Sequence, residues 1–283
     1  MNHPSPKGSW RWMAYETNAG EFNCLATQER QTAESMMRSI FRKVDCVHCK
    51  FSRACLPFGL TPEEVGHLET IVKRKRPINS DEYLFRQEDH SNSLFIVKSG
   101  SFRSFIWDID GGEQTIGFYL PGEFIGLDAL RQGGRHHCSA VALETASVCE
   151  LPINRLNELS AKIPKLQSQF LRIIGSQIVS DQVTIVLLGN RSATVKVAAF
   201  LLAMSRRYKA LGYSGTEFNL TMPRHNIANF LGLSIETVSR QLGSLSNSGA
   251  VSIKNRGVQI KNLTLLEAIV EPGLTNQYSC ANY

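Results

Sequence analysis

The chain has 283 residues, 42% of them hydrophobic and 20% charged. That is enough for about two domains with real cores, and it excludes wholesale disorder. A net charge of +6 and a pI near 9.0 favour a polyanionic partner, nucleic acid among them, without requiring one. No run approaches the roughly 18 apolar residues of a membrane span, and no apolar core follows a basic start, so a cytoplasmic protein with no membrane partner is expected. In that reducing setting an odd count of seven cysteines with CxxC spacing points to metal binding or redox chemistry and away from a disulfide framework.

Residues 1–45 mix Pro, Gly, Ser and Thr without a sustained period and predict a flexible N-terminal extension, with a short helix at about 33–42. Three thiols follow in the loop 46–58: Cys46, Cys49 and Cys55. At this spacing they can surround an iron-sulfur cluster or, with a fourth ligand, a zinc ion, and the spacing leaves both open. His48, inside the CxxC, reads as a solvated loop residue.

Over 59–160 short β-rich runs alternate with turn signals. The runs are Tyr83–Phe85, Ser93–Val97, Ser101–Trp107, Gln114–Leu120, Phe124–Ile125 and Ser147–Leu151; the turns fall at Lys98-Ser99-Gly100, Asp110-Gly111-Gly112 and Pro121-Gly122. Such spacing predicts a compact antiparallel barrel or jelly roll.

After Pro164 the period becomes helical. Leu166, Phe170, Ile174, Ile178, Asp181, Ile185 and Leu188 succeed one another at steps of three or four. One stripe about 37 Å long suits a dimer seam within 161–190. In a parallel two-fold pairing Asp181 would face its own copy beside Ile174 and Ile178. The repulsion, about 3 kcal/mol at close approach, rivals the gain from burying one or two of the isoleucines, so this dimer is poised.

The segment 191–265 predicts a helix at about 193–210 and then a helix-turn-helix. Thr221 is expected to cap the first helix with Pro223 in its first turn; Gly232 makes the turn, and Ser234 caps a second helix that buries Val238, Leu242 and Leu245. That places Glu236, Ser239 and Arg240 against base edges of double-stranded DNA. Val251–Lys254 and Val258–Lys261 around Asn255-Arg256-Gly257 predict a two-stranded wing, with Lys254, Arg256 and Lys261 available for phosphates. Residues 266–283 are expected to be a C-terminal tail, frayed from about 271.

Three stretches carry a family resemblance: Cys46-x2-Cys49-x5-Cys55-Leu56-Pro57-Phe58, Val148-Cys149-Glu150-Leu151-Pro152, and Glu236-Thr237-Val238-Ser239-Arg240. Over roughly residues 46 to 265 the chain resembles the fumarate and nitrate reduction regulators of the cyclic-AMP receptor protein superfamily. The resemblance implies an α+β chain with an N-terminal β-roll (jelly-roll, cyclic-nucleotide-binding-like) sensor domain, a long dimerisation helix and a C-terminal winged helix-turn-helix. It also implies an oxygen-labile [4Fe-4S] cluster on Cys46, Cys49, Cys55 and Cys149. The homodimer would bind palindromic TTGAT-like sites anaerobically through Glu236, Ser239 and Arg240, activating anaerobic metabolism genes. The loop carrying Trp107, Asp108, Asp110 and Gly111 would touch RNA polymerase.

Cys138, beside His136 and His137, competes with Cys149 for the fourth position, but only Cys149 lies in the family motif; Cys24 and Cys280 read as bystanders. Two departures stand out. The N-terminal extension is long, and small Ala54 precedes the third thiol, which would shield a cluster edge poorly.

Three other functions compete. A cyclic-nucleotide regulator of the same superfamily needs a ribose-binding glutamate and an Arg-Ser phosphate pair, whereas this chain has Gly126-Leu127-Asp128-Ala129-Leu130 and Arg135-His136-His137-Cys138. No cyclic nucleotide is therefore expected. A zinc-stabilised DNA-binding protein is the second rival. An enzyme is set aside because no GxSxG elbow, P-loop or HExxH helix occurs.

Overall fold

A computed structural model describes residues 45–131 and 134–270. The extension up to residue 44, with its expected helix and Cys24, and the tail from 271, with Cys280, lie outside the described residues. The thiol loop leads into α1 (Pro62–Ile71), which opens on a reciprocal cap. Glu64 N donates to Thr61 Oγ1 at 3.3 Å, and Thr61 N donates to the Glu64 carboxylate at 2.7 Å.

Two antiparallel four-stranded sheets build the roll. One has the order β1 (Lys73–Arg74), β8 (Ser147–Pro152), β3 (Ser93–Ser99), β6 (Phe124–Ile125); the other is β2 (Tyr83–Phe85), β7 (Ser139–Ala142), β4 (Phe102–Trp107), β5 (Glu113–Tyr119). Side chains from both sheets, among them Phe85, Phe95, Phe102, Ile125, Ala140 and Val148, share one core. The β3–β4 turn needs Gly100: its φ is +72°, and a Cβ there would stand 2.7 Å from the Thr145 carbonyl. A second core gathers Leu56 of the thiol loop, Leu68 of α1, Leu94 and Leu151 of the roll, Leu156 of α2 (Ile153–Lys162) and Leu166 of α3 (Pro164–Leu188). The thiol loop and the start of the long helix are thus seated on the same apolar bed.

Helix α3 has the expected length, but the expected stripe is not one face. Leu166, Gln169 and Leu187 are buried within the chain, and Phe170 and Ile174 are half-buried. Leu171, Ile178 and Ile185, seven residues apart, are 60%, 51% and 69% exposed. With Ile174 and Asp181 between them they form a row along the helix that the rest of the chain leaves largely uncovered, to which Leu171 is an addition and from which Leu166 drops out. Among the described residues α3 is also the one helix long and apolar enough to cross a membrane by length and composition alone. Arg172 and Asp181 within it are costly in a membrane.

The C-terminal unit comprises α4 (Ala193–Ala210), β9 (Glu217–Asn219), α5 (Arg224–Leu231), α6 (Ile235–Asn247), β10 (Val251–Lys254), β11 (Gly257–Ile260) and α7 (Leu263–Val270). Phe200, Leu201, Ile227, Leu231, Val238, Leu242, Leu245, Val258 and Leu266 form its core. Three expectations shift. Pro223, with extended backbone, stands at the cap of α5, while the Thr221 hydroxyl instead accepts from Ser101 of the roll at 2.7 Å. The wing gains a third strand, β9, paired to β11. The folded unit continues past 265, because Leu266 and Val270 are buried in α7.

Candidate DNA interface and thiol centre

Gly232, at φ +63°, turns the chain between α5 and α6. Ser234 Oγ then accepts from Thr237 N at 3.1 Å and starts the second helix. One face of α6 is consumed by Val238, Leu242 and Leu245. The other presents Glu236 and Arg240 exposed and Ser239 half-buried. The Glu236 carboxyl is held below its usual range by its own backbone N–H and by the Ser234 hydroxyl at the helix start. Ser239 Oγ accepts from Arg224 at 3.3 Å, so Arg224, which sequence reasoning missed, lies against the reading surface. A basic residue in the first turn of α5 was the available signal. Asn255, at φ +56°, turns the wing, and Lys254, Arg256 and Lys261 are exposed around it.

This unit is fastened to the roll. Asn229 at the end of α5 lies along edge strand β5: its Nδ2 donates to the Glu113 carbonyl at 2.7 Å, and its Oδ1 accepts from Thr115 N. One carboxamide thus replaces a neighbouring strand. Gln114 Nε2 donates back to the Asn229 carbonyl at 2.7 Å. Phe230 meets Phe118 at 5.3 Å between ring centroids, and Arg207 of α4 pairs with Glu123.

The thiols converge from two directions. Cys149 on β8 pairs across with Arg74 and Ile96, and it shares the second apolar bed with Cys55 of the loop. Glu69 of α1 anchors the loop, accepting from Cys46 N at 2.6 Å. Burial pushes the Cys46 thiol up to about 12, helped by Cys149, Glu69 and Cys49. Burial likewise raises Cys55, whose charge would be opposed by Cys46, Cys149 and Cys49. Cys149 is raised by burial as well, with Lys98 and Arg74 working against the shift. Cys149 and Cys49 thus act on Cys46, all three act on Cys55, and Cys49 acts on Cys149.

Cys138 belongs elsewhere. It packs in the roll's inner core, and burial and then Asp128 raise it to about 12. His48 is solvated and pairs with Asp45 at 3.0 Å. Among the described residues no three His, Cys, Asp or Glu side chains close around a point that a single metal ion would fill. A four-iron cube holds its thiolates farther apart than one ion does, and half-buried thiols that raise one another's pKa, with Lys98 and Arg74 beside Cys149, are a donor set that suits such a core.

The residues around His136 bond to one another. His136, 2% exposed, stacks on Phe85 at 3.6 Å between centroids. Its Nδ1 lies 3.2 Å from Asp128, whose other oxygen accepts from His137 N at 2.6 Å. Burial works to raise the Asp128 carboxyl, but these partners hold it low. Arg135 points outward, donating to the Glu88 carbonyl at 2.7 Å.

In the β4–β5 hairpin, Asp108 organises the turn, accepting from Asp110 N at 2.9 Å and Gly112 N at 2.8 Å, and Gly111 takes φ +78°. Trp107 and Asp110 are displayed to solvent. Ile109 is fully exposed at the tip.

Comparison with known proteins agrees with both units. The cyclic nucleotide-binding domain family matches residues 75–162, and the Crp-like helix-turn-helix domain family matches 195–269. An anaerobic regulatory protein of Haemophilus influenzae is 42% identical over 220 residues, 78% of this chain and 85% of that protein. A fumarate and nitrate reduction regulatory protein of Salmonella typhimurium is 40% identical over 227 residues, 80% of this chain and 90% of the relative. Among solved structures, FixK2 from Bradyrhizobium japonicum superposes with a TM-score of 0.64 at 26% identity, covering 70% of this chain and 97% of the other.

Proposed function

We propose a function from one premise: this chain belongs to the family of fumarate and nitrate reduction regulators, DNA-binding transcription regulators of anaerobic metabolism and not enzymes. Within that family it acts as an oxygen-responsive regulator whose homodimer binds palindromic TTGAT-like sites. Cys46, Cys49, Cys55 and Cys149 would hold a [4Fe-4S] cluster, which when bound supplies an oxygen-labile cross-link between the thiol loop and β8. The carrying observation is that Cys149, on a strand of the roll, comes to the same bed as Cys55 of the thiol loop and as the start of α3, and within electrostatic range of Cys46 and Cys49.

Glu236 and Arg240 reach base edges from the free face of α6, and Ser239 is held by Arg224 at that face. Lys254, Arg256 and Lys261 meet phosphates. Leu171, Ile174, Ile178 and Ile185 pair with their copies, with Asp181 as the destabilising member that makes assembly conditional. The Trp107–Gly112 hairpin, displaying Trp107 and Asp110 on a turn built by Asp108 and Gly111, contacts RNA polymerase. The His136–Asp128 pair and the outward Arg135 favour a protein that takes no cyclic nucleotide.

Anaerobic reconstitution followed by iron and acid-labile sulfide analysis tests the reading. We expect about four of each per chain, loss of both in Cys149→Ala, and retention in Cys138→Ala. Zinc in place of iron, or operator binding that is unchanged after bleaching in air, would overturn it.

A further inference from the structure

We infer that Gln169 is the positioning residue that transmits the state of the thiol loop to the dimer helix. The inference rests on the proposed cluster at Cys55. Gln169 lies on the inner face of α3 and is 6% exposed. Its Nε2 donates to the Cys55 backbone carbonyl at 3.0 Å, 114 residues away in sequence. Its Oε1 accepts from Arg172 Nε, also at 3.0 Å. The Arg172 guanidinium in turn lies 5.4 Å over the ring of Phe58, three residues beyond Cys55. Both ends of one buried carboxamide are therefore committed: one to a residue proposed as a ligand, the other to an arginine clasped by the same loop.

A buried amide donor must keep its partner. The Cys55 carbonyl stands at the end of a short 3-10 turn, Ser52–Ala54, and its position depends on how that turn is held. When the Cys55 thiolate is released the turn is free to relax, and the carbonyl can leave Gln169. The helix then has to re-seat its inner face so that the amide finds another acceptor. Leu171 and Ile174, the first two seam residues, lie within five positions of Gln169 on the same rigid helix, so re-seating shifts the edge that meets the second copy. A cavity of about 410 Å³ beside this contact, lined by Phe51, Ala54, Arg172 and Ile173, leaves room for the turn to move.

The experiment compares wild type, Gln169→Leu and Arg172→Ala after anaerobic reconstitution. Iron and sulfide per chain are measured first. The dimer dissociation constant is then measured by sedimentation equilibrium, for loaded protein and again after bleaching. Wild type should show a large ratio between the two constants. Gln169→Leu should load the same iron while that ratio falls about tenfold. Arg172→Ala, an exposed change that leaves the apolar beds intact, should reduce the ratio less, about threefold.

An unchanged ratio in both variants overturns the inference. So does an equal shift of both constants, which would mark Gln169 as a packing residue only. If Gln169→Leu fails to fold, Arg172→Ala alone decides by the same ratio. Absence of iron from wild type is a different failure, that of the cluster itself.

Discussion

Replacing Asp181 by Ala should let the chain dimerise without a cluster. Asp181 occupies the proposed seam between Ile178 and Ile185, is only partly covered in the single chain, and accepts from Gln177 Nε2 at 2.8 Å, four residues back on its own helix. In a parallel pair the two carboxylates would approach to about 6 Å, and their repulsion at an effective dielectric between 20 and 80 is about 1 to 3 kcal/mol. The lower end applies while water still reaches them. Removing both charges should therefore tighten the dimer by about five- to a hundredfold.

The sign with pH follows from the same group. Partial burial raises the Asp181 carboxyl above its usual value, with the Gln177 bond opposing, and a second like charge raises it further. A raised acid binds protons more readily in the assembled state, so dimerisation is favoured below the raised pKa and lost as pH rises through it. Sedimentation equilibrium of cluster-free protein at several pH values should show wild type associating on acidification and Asp181→Ala associating without that dependence. A cluster-free Asp181→Ala that stays monomeric at the concentrations where loaded wild type pairs would refute the reasoning.

Other expectations concern the reading surface, the fastening and the cluster edge. Arg240→Ala should lose about 1 to 3 kcal/mol of operator affinity and relax preference at one base, whereas Lys254→Ala should weaken all sequences alike and lower the salt slope by about one; fluorescence anisotropy on matched and single-base-changed duplexes separates the two. Asn229→Ala deletes two side-chain bonds to β5 and should cost about 1 to 3 kcal/mol in urea unfolding, with Asn229→Asp also damaging because the Glu113 carbonyl loses its donor. Ala54→Leu should slow the loss of cluster absorbance in air relative to wild type and Ala54→Gly should not; a slower decay in the glycine variant contradicts the shielding argument.

Local signals carried most of what was legible in the sequence. Ser234, Gly232 and the period of Val238, Leu242 and Leu245 place α6 because cap, turn and core spacing act within a dozen residues, and α4 falls at the expected 193–210 for the same reason. Strand β7 escaped notice because Ser139–Ala142 is small and buried on both faces, leaving no alternation to read. Helix α1 is marked locally by Thr61-Pro62-Glu63-Glu64, the reciprocal cap with proline in the first turn.

The stripe on α3 misled because this helix carries apolar residues both on the face packed against the chain and on the face left exposed. Periodicity alone does not tell Leu166 from Leu171. The Cys149 assignment came from a motif, and the feature that distinguishes it from Cys138, which core each thiol joins, exists only once the roll is folded. Asn229 and Gln169 were invisible for a related reason: their partners stand more than a hundred residues away.

The stacked imidazole at His136 has a consequence for how such a protein could be retuned. A small molecule entering the roll would have to evict a ring lying flat on Phe85 and strip Asp128 of two donors before making any contact of its own. Retuning the roll toward a ligand would therefore begin with these two side chains, Asp128 and His136, and only then with the surface around them.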